Sequence, residues 1–199
     1  FSASGYDSNH IATVQLFVEC KYISKEIVFW FDDKNIDSAA LKVEKDTGLE
    51  VLHNRCQADA LPETFHYLSS NKVAKIYSSN SNREDIIYKA MSQCLNAKIY
   101  YDQWFNKVVS PKTKIIRPGC EHFIQKFPII ICENFSNLIE VTFENSEYSY
   151  IQINDHFQLE LNYAYLDKEK TTAKQDYFLI DVLNYDTLDV FLDKLEIEI

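Results

Sequence analysis

Val14-Gln15-Leu16-Phe17-Val18-Glu19-Cys20-Lys21 decides how this chain is read. The run from Val14 to Val18 is short, rich in branched and aromatic residues, and free of glycine or proline, so it predicts a strand over about Ile11 to Cys20. Alternation along a strand puts Glu19 and Lys21 on one face and Val18 and Cys20 on the other, where Val18 and Cys20 are expected to be buried. A carboxylate and an amine two residues apart at the end of such a strand suit metal-assisted chemistry on a phosphodiester. The carboxylate can hold a hard divalent cation, and the amine can orient a nucleophile or offset charge on a phosphate. The plainer reading of the same pair is a cross-face ion pair at a sheet edge.

Outward from this strand, the chain alternates strand and helix patterns. Gly5-Tyr6-Asp7-Ser8-Asn9 reads as the turn of a hairpin feeding it. Glu26 to Phe31 is a second apolar run, ending at Asp32-Asp33-Lys34-Asn35. Residues 36–71 read as an irregular insertion with short helical turns, and Lys72 to Tyr77 as a short strand. Over residues 83–103, Ile86, Ile87, Ala90, Met91, Leu95 and Ile99 recur at helical spacing, with Glu84 and Asp85 in the favourable first turn. Beyond a loop marked by Pro111 and Pro118-Gly119, strands are predicted at 128–132, 138–143, 148–153, 157–165 and 177–183. A closing helix follows, capped by Asp186 or Thr187, with Leu188, Phe191, Leu192 and Leu195 facing inward. The order implies a mixed α/β domain.

Composition narrows the function classes. A chain of 199 residues with 46% hydrophobic content can bury one core without disulfides or metal. Cys20, Cys56, Cys94, Cys120 and Cys132 are odd in number and never form a Cys-x-x-Cys pair, which disfavours a disulfide framework and points to a reducing, cytoplasmic setting. His10, His53, His66, His122 and His156 are scattered, without metal-ligand spacing. No apolar run approaches the ~20 residues of a membrane span, so no membrane association is expected. The chain opens at Phe1, and Phe1-Ser2-Ala3-Ser4 reads as part of a strand already under way, so an N-terminal stretch is expected ahead of it. A net charge of −10 disfavours indiscriminate nucleic-acid binding. It leaves room for a local basic groove, since Lys21, Lys72, Lys75, Arg83 and Lys89 fall in the first half while the chain ends acidic.

The strand-borne Glu19-Cys20-Lys21, within Phe17-Val18-Glu19-Cys20-Lys21-Tyr22, resembles the PD-(D/E)xK nuclease superfamily, the restriction-endonuclease-like fold. The later stretch Ala90-Met91-Ser92-Gln93-Cys94-Leu95-Asn96-Ala97 is similar to the Gln-bearing helix of its restriction-type branches. The resemblance covers roughly residues 1–105. It implies a mixed central sheet flanked by helices, with residues 1–119 as the nuclease-like core and 120–199 as a strand-rich extension packed on the same domain. It further implies a Mg²⁺- or Mn²⁺-dependent DNA endonuclease of a restriction or anti-phage setting, acting alone, as a homodimer or with a partner protein. Glu19 and Lys21 would then be catalytic, with Glu19 and Asp7 on the metal. Gln93 would contact the DNA backbone or support the site, while Lys72 and Lys75 are expected to contact DNA from the charge distribution alone.

The family's first acidic residue stays open between two places. Asp7 is the only acidic residue ahead of Glu19. With the turn at residues 5–9, however, Glu19 lies about ten residues down the returning strand, roughly 30 Å away at ~3.3 Å per residue. The alternative is a residue ahead of Phe1. Asp32-Asp33-Lys34 is a second triplet after an apolar strand, and its plainer reading is a solvated loop. Tyr100, Tyr101, Trp104 and Phe105 read as a base-stacking surface or as a core cluster. Three classes of function therefore stand side by side: a metal-dependent nuclease, a non-catalytic interaction or recognition subunit with the same fold, and an α/β protein in which Glu19 and Lys21 merely pair.

Overall fold

The computed structural model describes residues 2–6, 10–47, 70, 72–79, 85–109, 121–144, 147–167 and 172–197. Among these, nine strands form one mixed sheet. They are β1 (Ser2–Tyr6), β2 (His10–Tyr22), β3 (Ile27–Asp33), β4 (Lys72–Ser79), β5 (Glu121–Glu133), β6 (Leu138–Glu144), β7 (Glu147–Gln152), β8 (His156–Asp167) and β9 (Thr172–Asn184). The helices are α1 (Ile36–Thr47), α2 (Ile86–Trp104) and α3 (Leu188–Ile197). Across the sheet the order is β1-β2-β5-β9-β8-β4-β3-β6-β7. β2, β5 and β9 run parallel side by side, and hairpins β1–β2, β8–β9 and β6–β7 supply antiparallel pairs. The chain is thus mixed α/β with few helices.

Each helix buries the face its sequence makes apolar. On α2, Ile87, Ala90, Met91, Cys94, Leu95 and Lys98 are buried at helical spacing. Asp85 lies just outside the helix, as its N-cap and not in its first turn. Its carboxylate accepts from the backbone N–H of Ile87 and Tyr88, each at 3.0 Å, a cap worth about 1 kcal/mol. α2 packs on β2 and β5 and closes one core over Ile130, Cys132, Phe178, Ile180 and Val182. α1 and Phe191 of α3 close the other face over Val14, Phe127, Ile129, Leu179 and Leu183. A sheet covered on both faces explains why β5 and β9 read as continuous apolar runs.

Two sequence expectations change here. Residues from Ile36 form a regular helix, not irregular turns, although 48–69 fall outside the described residues. Strands from both sides of residue 119 share this one sheet, with β5 between β2 and β9. Parallel neighbours joined by long crossovers leave no local trace that would place them. The expected inward face of β2's end is also reversed. Val18 is 41% exposed and Cys20 is exposed, because the helices on their face cover Val14 and stop short of them. The loop expected at 111–119 lies outside the described residues. Among the described residues, no helix is long and apolar enough to cross a membrane.

Candidate functional site

Glu19 and Lys21 end β2 on the face that α2 covers. Alternation from Thr13 and Phe17 brings both side chains toward that helix, and Phe17 meets Tyr101 of α2 edge to face at 5.5 Å. Lys21 Nζ lies 2.5 Å from Glu19 Oε1 and donates to Gln93 Oε1 at 3.2 Å. The side chains of Lys21 and Glu19 keep 16% and 26% of their exposure, so the pair is sheltered but open to small solutes. Helical spacing sets Gln93 on the exposed flank of α2, one residue from buried Cys94, so the helix anchors the amide while presenting it. Strand and helix, read separately from sequence, meet at Lys21.

Beneath the pair the site is apolar and uncharged. Cys132 stands beside Lys21 in the β2–β5 register, and burial, with the Cys20 charge second, pushes its thiol up to about 12. Burial likewise pushes the Cys94 thiol up to about 12, Glu19 adding to it, while its Sγ–H donates to the Ile129 carbonyl at 3.3 Å. Neither sulfur is therefore a thiolate near neutrality. Glu19 is the carboxylate left to hold a cation, and among the described residues no group of three His, Cys, Asp or Glu side chains converges on one point. No described residue of β1 stands opposite Glu19, because the pairing ends at Ser2↔Gln15.

Known protein families, curated proteins and solved structures offer no match to this chain. Its site therefore has to be read from its own geometry.

Asp7 lies outside the described residues. The hairpin closes at Tyr6↔Ile11, and Glu19 is eight residues further along β2, about 26 Å at 3.3 Å per residue. Lys72 and Lys75 are not brought to Glu19. Both are exposed on β4, four strands from β2, about 19 Å at roughly 4.8 Å per strand. Lys75 is engaged instead with Asp32 at 3.4 Å and Glu160 at 4.0 Å. The aromatic group divides: Tyr101 packs on Phe17 and Phe105, whereas Tyr100 and Trp104 are exposed.

The competing triplet Asp32-Asp33-Lys34 is not a solvated loop throughout. Lys34 is buried, and its Nζ donates to Gln158 Oε1 at 2.5 Å. Gln158 Nε2 donates at 3.1 Å to Asp181 Oδ1, which His156 Nε2 also meets at 2.8 Å. This buried chain was missed in the sequence, although Asp181 inside Phe178-Leu179-Ile180-Asp181-Val182-Leu183 was a legible signal. A charged residue in a buried strand needs a partner.

Burial depresses the Lys34 amine from the ordinary 10.5 to about 8, against the opposing pull of Asp181 and Glu160. The unfolded chain therefore binds more protons than the folded one between these values, and stability rises with pH across that window. Lys34 should add on the order of 2–3 kcal/mol between pH 8 and 10.5. Urea unfolding of wild type and Lys34→Met across this range checks it, and the variant should lack that increment.

Proposed function

We propose that this chain is a Mg²⁺- or Mn²⁺-dependent DNA endonuclease with a restriction-endonuclease-like core, of a restriction or anti-phage kind. The observation that carries this reading is the contact of Lys21 with both Glu19 and Gln93, three residues of one sequence resemblance meeting at one point. The chain order around them agrees with it. The hairpin β1–β2 carries the triplet, and α2 packs on both β2 and its parallel neighbour β5.

In this reading Glu19 would hold the metal. Mg²⁺ characteristically uses one or two carboxylates plus phosphate oxygens. When bound, it supplies Lewis acidity at the phosphate and a more acidic water. Lys21 then orients the attacking water or offsets charge developing on the phosphate. Gln93 fixes the amine through Oε1, which leaves its Nε2 to donate to a phosphate oxygen. Exposed Lys89, one turn earlier on α2, replaces Lys72 and Lys75 as the basic residue on the DNA side.

Plasmid cleavage by the full-length protein tests this. Activity with Mg²⁺ or Mn²⁺ should vanish in EDTA and in Lys21→Met, and should fall about tenfold or more in Gln93→Ala, as expected for loss of an orienting hydrogen bond. No cleavage with either metal would favour the second reading, a non-catalytic interaction subunit.

A further inference from the structure

Among the described residues, the outermost strand β7 has one open edge. It pairs with β6 alone, from Ile139↔Gln152 to Glu144↔Glu147, and all six of its residues are exposed. Among the described residues no strand adjoins its other edge. Natural sheets blunt such edges with lysine, proline or a bulge. Glu147-Tyr148-Ser149-Tyr150-Ile151-Gln152 contains neither residue, and its register with β6 is unbroken.

The two faces of this hairpin differ. Tyr148 and Tyr150 are 63% and 69% exposed, and Tyr148 meets the ring of exposed Phe143 at 4.8 Å. In register this face continues through Val141 to the exposed Trp30 and Ile76. On the other face Thr142 and Ser149 hydrogen-bond through their hydroxyls, flanked by Glu140 and Glu147. No lysine or arginine occurs between Lys126 and Lys168.

We propose that β7 receives an extended basic segment of a partner protein as a further strand. Residues of the incoming strand would alternate, apolar ones on the Tyr148 and Tyr150 face and lysine or arginine beside Glu147. Main-chain hydrogen bonds supply the affinity and the alternation supplies the selectivity. A second copy of this chain fits less well, because it would bring the same acidic hairpin against itself. The edge lies seven strands from β2, about 34 Å at roughly 4.8 Å per strand, so occupancy does not require the Glu19 site.

The test uses the full-length protein and a labelled peptide of alternating lysine and valine, about nine residues long. Anisotropy titrations should show binding, and about tenfold weaker binding when prolines replace the valines at equal charge or glutamates replace the lysines. Tyr148→Lys combined with Tyr150→Lys should weaken it by a similar factor with the melting midpoint preserved. No binding, equal binding of the proline peptide, or unchanged binding by the variant overturns the proposal. A dimer of the free protein that disappears in the variant also overturns it, by naming the second copy as occupant.

Discussion

Glu19→Gln is expected to lower metal-dependent cleavage by about 10²-fold or more, the scale seen when one preorganised charged or hydrogen-bonding group is lost from a reacting centre. The substitution keeps the shape and an acceptor oxygen for Lys21, whose Nζ meets Glu19 Oε1 at 2.5 Å, and removes only the negative charge. A half-sheltered ion pair of this kind contributes about 0–1 kcal/mol to stability. For a chain of this length that corresponds to about 2–4 °C in melting midpoint at most. A large fall in cleavage with a nearly unchanged melt therefore separates a chemical role for Glu19 from a structural one. Wild-type rates in the variant would leave the Glu19–Lys21 contact as a pair and nothing more.

The parts of the site that were legible were those with a local period. Branched and aromatic residues before Glu19 marked β2, and apolar spacing from Ile86 to Ile99 marked α2. Gln93 was singled out by the resemblance of its stretch to a Gln-bearing helix, and its contact with Lys21 joins two independently readable elements. Alternation also sorted Glu19 and Lys21 from Val18 and Cys20. It could not say which set a helix would cover, since both faces of this sheet are apolar and the covering helices differ in reach. Beyond the β1–β2 hairpin the strand order was not legible. β5 is inserted beside β2 and β9 beside β5 through parallel pairings, between residues 111 positions apart in the first and 52 in the second. Lys34 was read with a solvated loop and Lys98 and Lys126 were passed over, because sequence spacing alone does not reveal a buried counter-charge.

Asp102→Asn should destabilise the fold by about 3–5 kcal/mol, because it removes the charge of the one carboxylate that both the Lys98 and Lys126 ammonium groups meet. Lys98 has a side chain with no exposure, and its Nζ lies 3.1 Å from Asp102 Oδ2 one helical turn on. Lys126, 9% exposed on β5, reaches Asp102 Oδ1 at 2.7 Å, so the carboxylate ties α2 to the sheet. Burial alone would raise the Asp102 carboxyl, but Lys98 and Lys126 together hold it below the ordinary carboxylate value. Its folded-state value is thus depressed, so its stabilising effect is present above the unfolded value and is lost as pH falls through the folded one. Urea unfolding at neutral pH should therefore show the large deficit of Asp102→Asn, and the gap to wild type should close in acid. Replacing Lys98, Asp102 and Lys126 together by Met, Leu and Met should recover much of the loss at neutral pH, since an apolar trio carries no desolvation cost. A deficit below about 1 kcal/mol in the single variant would mean that solvent reaches the two lysines and already offsets their charge, as it does for exposed ion pairs.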